Sequence, residues 1–165
     1  MSVLLTIRLT GISPTHHRFV YERPDGTGES NTLETRSTLR HDLLHFAYET
    51  EAGLTGSFYG LLAGGATFAD LAGKGEEAFA PGSEIGMTER IVGPLSRVAY
   101  GEIEPDAFMA NAARFLEAQG ETPPGFLTLG FVTRVKERYR ALYGQWKATP
   151  FGETMSLYFE PMHPA

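Results

Sequence analysis

A chain of 165 residues, 42% hydrophobic and 21% charged, has the size and composition of one folded domain spanning 1–165. It holds no cysteine, which excludes a disulfide framework, a thiolate nucleophile and a cysteine metal site. A net charge of −6 with no lysine–arginine cluster to offset it argues against a nucleic-acid backbone as partner.

The first residues, Met1 to Arg8, lack the basic region, long apolar core and cleavage site of a signal peptide. The longest uncharged run, Ala52 to Ala69, carries five glycines and reads as buried core rather than as a membrane span. The expectation is a cytoplasmic protein with no membrane partner.

Val3 to Leu9 alternates, with Val3, Leu5, Ile7 and Leu9 on one face, as in a half-buried strand. Gly11 to Pro14 breaks it, His17 to Arg23 resumes the alternation, and Pro24-Asp25-Gly26 marks a turn. Gly26 to Asn31 reads as a polar loop and Thr32 to Thr35 as a short third strand. His16 and His17, where the second strand begins, read as exposed polar residues at a strand end.

The period then changes to that of a helix, predicted over 38–52 with Ser37 or Thr38 as cap and Gly53 as terminator. Leu39, Leu43, Phe46 and Ala47 form its core-facing set. Gly56, Gly60 and Gly64 recur at every fourth position. If residues 57–63 are helical, these glycines make a smooth strip suited to close packing against the preceding helix. Thr67 to Leu71 is a short helical or irregular piece.

Ser83 or Glu84 opens a further helix through Val98, which Gly93-Pro94 is expected to kink or split. Glu104-Pro105-Asp106 starts another, closed by Gly120, and a last helix covers Leu127 to about Tyr143. Strand signals return after Trp146, and Thr154 to Glu160 alternates. The predicted class is α+β, an antiparallel sheet of about four strands built from both termini with four to five helices packed on it.

The chemistry-bearing stretch is His41-Asp42-Leu43-Leu44-His45, followed by Glu49. Imidazoles at i and i+4 on a helix lie one above the other and form a two-toothed chelator for a divalent ion such as zinc. The segment has the outline of the H-E-x-x-H helix of zinc peptidases, with Asp42 in the proton-accepting position. Glu49 lies about 12 Å along the axis from His41. It is therefore either a third ligand reached by stretch, or a carboxylate that accepts the other ring N–H of His45. In the latter case the third ligand comes from elsewhere, with His16, His17, His163, Asp70 and Glu51 as candidates.

The run Arg40 to Phe46, followed by Gly53-Leu54 and Phe58 to Phe68, resembles a set of small uncharacterised bacterial proteins, and no established activity comes with that resemblance. The five residues His41 to His45 also resemble the H-D-x-x-H metal motif of the Coq4-like ubiquinone-biosynthesis family. That family has a glutamate about a dozen residues after the second histidine. Ser57 stands at this position here, so its third ligand is not carried over.

Two functions follow. One is a divalent-metal-binding protein with His41, His45 and Glu49 at the metal and Asp42 as proton acceptor in a hydrolysis whose small-molecule substrate is unknown. The other is a non-enzymatic, homo-oligomeric or partner-binding domain with structural histidines.

Overall fold

A computed structural model describes residues 2–72 and 82–162. Strands β1 (Leu5–Gly11), β2 (His16–Glu22), β3 (Gly28–Glu34) and β4 (Thr154–Phe159) form one antiparallel sheet in the order β3-β2-β1-β4. The alternation of β1 fixes the register. Ile7 stands opposite Tyr21 and Leu157, and Leu9 opposite Phe19 and Met155, so the inner face is a continuous apolar row. The turn after β2 is built by Asp25, whose carboxylate accepts from the Thr27 N–H at 2.9 Å, and by Gly26 at φ 88°.

β3 departs from the sequence expectation. It covers residues 28–34, including most of the presumed loop. As an edge strand it leaves most of its residues exposed, so no apolar alternation is demanded of its sequence. His17 departs too, because it is fully buried on the inner face of β2.

Six helices are described. They are α1 (Thr35–Ala52), α2 (Phe58–Ala63), α3 (Phe68–Ala72), α4 (Glu84–Ala99), α5 (Pro105–Ala118) and α6 (Leu129–Ala148). α1 begins ahead of both predicted caps. Glu34 is its N-cap without a side-chain bond, and the Thr38 hydroxyl instead donates back to the Glu34 carbonyl at 2.7 Å. Gly53 ends the helix in the left-handed conformation, φ 69°. Pro94 does not divide α4, which runs as one element, and α6 continues past Trp146 rather than yielding to a strand. Among the described residues no helix is long and apolar enough to cross a membrane.

α1 organises the packing. It contacts β2 and β3 on one side and α4 and α6 on the other, so every residue from Leu43 to Thr50 is buried. A helix enclosed in this way must bury its polar residues along with its apolar ones. Arg40 fixes its outer end, its guanidinium 3.8 Å from the Tyr100 ring centroid and its Nε donating to the Tyr139 hydroxyl at 2.7 Å. The α2–α3 region is tied to the sheet by Arg23, which donates to the carbonyls of Leu62 at 2.7 Å and Ala66 at 2.8 Å.

The His17 ring lies edge-on to Trp146, with Nδ1 2.9 Å from the Thr35 hydroxyl and Nε2 without a hydrogen bond. Burial lowers its pKa below the ordinary 6.5, against the opposing charge of Asp42. The unfolded chain therefore binds a proton near 6.5 that the fold refuses, and stability is lost as pH falls below that value. Urea unfolding at about pH 7.5 and about pH 5.5 should show a smaller acid loss of stability for His17→Leu than for the wild type.

Candidate metal centre

His41 and His45 face α4 from successive turns of α1, their ring centroids 4.5 Å apart. The residue they meet there is Glu89. Ser83 caps α4 by accepting from the Gly86 N–H at 3.1 Å. A buried pair of hydroxyls, Ser57 and Thr88 at 2.8 Å, ties α4 to the start of α2. These contacts fix Glu89 opposite the two imidazoles.

The Glu89 carboxylate reaches both rings. Oε1 lies 3.1 Å from His45 Nε2, and Oε2 lies 3.8 Å from His41 Nε2. One ligand atom from each of His41, His45 and Glu89 falls within 4.8 Å of the others. The His45 side chain is 4% exposed, that of Glu89 30% and that of His41 49%, so the group opens to solvent on the His41 side.

Glu49 lies on the other side of the His45 ring. Its Oε2 is 3.1 Å from His45 Nδ1 and its Oε1 accepts the Tyr59 backbone N–H at 2.9 Å. The two edges of one buried imidazole thus face two carboxylates. Burial alone would lower the His45 pKa. The hydrogen bond to Glu49 and the carboxylate of Glu89 more than offset this and push it up to about 9. Burial raises Glu49 against the pull of His45 and of the Tyr59 N–H. Glu89 resists its own burial through His45 and then His41, and its pKa is lowered.

His45 Nε2 has no hydrogen bond of its own, because Glu89 Oε1 lies close to it but off the N–H axis. A buried ring nitrogen aimed between a second imidazole and a carboxylate, with no directed partner, fits a divalent ion. Two imidazoles and one carboxylate are a donor set that zinc and its neighbours accept. Tetrahedral bonds of about 2.1 Å place ligand atoms roughly 3.4 Å apart, so the half-exposed His41 would turn inward on binding.

Of the residues expected at the metal, the structure brings His41 and His45 together and places Glu49 behind His45, outside the three-donor group. Asp42 is also outside it. Its Oδ1 lies 4.0 Å from His41 Nδ1, and its side chain lines a neighbouring cavity.

The other candidates are engaged elsewhere. Glu51 pairs with Arg138 at 3.2 Å and Arg134 at 3.7 Å, Asp70 accepts the Thr67 N–H at 2.9 Å, and the His16 ring bonds Thr15 at 2.8 Å. His163 lies outside the described residues. Glu89 is the residue that sequence reasoning missed. The available signal was a carboxylate standing between Ile85 and Val92 on the apolar stripe of α4. No protein-family model, curated protein or solved structure matches this chain.

Proposed function

We propose that this chain is a divalent-metal-binding protein whose ion is held by His41, His45 and Glu89, with Glu49 orienting His45. The observation that carries this reading is the buried His45 ring. Its Nδ1 is engaged by Glu49, while its Nε2 faces a second imidazole and a carboxylate without a hydrogen bond. A carboxylate on the far nitrogen fixes the tautomer that leaves Nε2 free to ligate and raises its basicity. Three protein donors leave a four-coordinate ion one open position, as in catalytic rather than structural zinc sites. On this reading the protein is a candidate metal-dependent hydrolase, with the open position on the His41 side.

A second reading is favoured by the raised His45 pKa. A proton held between Glu49 and Glu89 would satisfy the same groups without metal and make the cluster part of the scaffold. Metal uptake must displace that proton.

Elemental analysis of tag-free protein separates the two. The metal reading expects about one transition ion per chain. That ion should be lost in His41→Ala, His45→Ala and Glu89→Ala, and its affinity should be lowered roughly 10–100-fold in Glu49→Gln. Wild-type protein that is metal-free and takes up neither zinc, manganese nor iron would establish the scaffold reading instead.

A further inference from the structure

The order of the sheet leaves part of its inner face uncovered. β3 is at the edge, and on its helix-facing side Asn31 stands opposite Phe19. Between this strip, α1, α2 and α3 lies a cavity of about 200 Å³. Three phenyl rings contribute to its wall, one from each of three elements: Phe19 from β2, Phe58 from α2 and Phe68 from α3. Phe19 and Phe68 meet edge-to-face at 5.7 Å. The polar part of the wall is the exposed Asn31 at its rim, Thr38, whose hydroxyl donates to the Glu34 carbonyl, and, one α1 residue beyond His41, the carboxylate of Asp42.

Neither the Asp42 carboxylate nor the Asn31 amide makes a side-chain hydrogen bond among the described residues. The nearest basic atom to Asp42 is His41 Nδ1 at 4.0 Å. The Asp42 side chain is 21% exposed, so water serves it in the open cavity, and an occupant that covers it must supply a donor in exchange.

Charge and shape narrow the occupant. An anion would meet Asp42 in a chain already at −6. A neutral apolar molecule would strip water from the carboxylate and offer it nothing in return. A second metal ion would find one carboxylate and at most His41 Nδ1, 4.0 Å from it, fewer than the three protein donors of the His41–His45–Glu89 group. Phenyl faces and a carboxylate together are the surroundings that attract an organic cation. The volume is below the roughly 300–1,000 Å³ of pockets for drug-sized ligands, which limits the occupant to a few heavy atoms.

We propose that this cavity binds a small organic ammonium ion, its charged head at Asp42 and Asn31 and its alkyl part against Phe19, Phe58 and Phe68. The site does not depend on the metal centre. Its closeness to His41 would make it a substrate pocket if that centre is catalytic.

Titration of n-butylammonium into metal-free wild-type protein, followed by amide NMR, tests the proposal, with n-butanol as uncharged control and butyrate as anionic control. The expected result is saturable binding of butylammonium with shifts centred on Asn31, Asp42 and Phe68, at least roughly tenfold tighter than butanol, and no binding of butyrate. Asp42→Asn should remove the preference over butanol, and His41→Ala should retain it. Equal binding of butylammonium and butanol, or no saturable binding of butylammonium, overturns the proposal from the wild-type data alone. Metal content measured on the same samples reports separately on the His41–His45–Glu89 centre.

Discussion

Glu49→Ala should destabilise the fold by about 3–5 kcal/mol, the cost of leaving one partner of a buried ion pair alone. The side chain is 0% exposed, and both of its oxygens are used, one by His45 Nδ1 and one by the Tyr59 N–H. Truncation leaves an imidazole with a strongly held proton beside the off-axis Glu89 alone, and strands a buried backbone donor at the start of α2. Water cannot readily replace the carboxylate, because α1 is enclosed on both sides along this stretch.

Glu49→Gln separates the two contributions. Its amide oxygen can still accept from Tyr59, while its charge is gone, so it should cost about half as much as alanine. Urea unfolding of metal-free wild type and both variants gives the comparison. Equal stability of wild type and Glu49→Ala would mean that the His45–Glu49 pair carries no net weight.

Gly60→Ala should cost at least about 2 kcal/mol even though alanine is the better helix former by about 1 kcal/mol. A methyl group at Gly60 would run into the backbone of Thr55, including its carbonyl group, and backbone cannot rotate aside as a side chain can. Relief requires α2 to move, and α2 carries Tyr59, whose N–H serves Glu49 and whose hydroxyl donates to the Asp42 carbonyl at 2.8 Å. The variant should therefore disturb the His41–His45–Glu89 group from a distance.

The other two glycines of the strip act as controls. A methyl at Gly64 meets only ordinary contacts of 3.4 and 3.6 Å, and one at Gly56 meets the movable end of the Glu84 side chain. Gly64→Ala and Gly56→Ala should stay within about 1 kcal/mol of wild type. Thermal unfolding of the three variants should rank Gly60→Ala well below the others. A flat series would show that the segment tolerates displacement.

The strip illustrates what the sequence could and could not convey. Its spacing signalled close packing, and at Gly60 close packing is present, but the partner is the chain's own turn at Thr55 rather than the histidine helix. The strands with one apolar face, β1, β2 and β4, were legible because burial on one side imprints alternation. β3 was not, since an edge strand with little burial imposes no such pattern. The pairing of His41 with His45 follows from helical spacing alone. Glu89 could not follow from it, because its meeting with them depends on how α4 crosses α1, a tertiary fact to which Ser57 and Thr88 contribute. Glu49 was within reach of His45 by counting turns, but the spacing left open whether it joins the metal or stands behind His45, and the structure places it behind.

The sheet has one more consequence, for how the chain comes to fold. β1 lies between β2, its neighbour in sequence, and β4, which enters from the far end of the chain, with Leu5 opposite Phe159. The β1–β2 hairpin can form as soon as both strands exist, but the pairing of β1 with β4 closes a loop of nearly the whole domain. During synthesis, Leu5, Ile7 and Leu9 therefore wait with one edge of their strand unpaired until β4 has left the ribosome. Chains interrupted before Thr154 would carry that open edge permanently and would be drawn to one another through it.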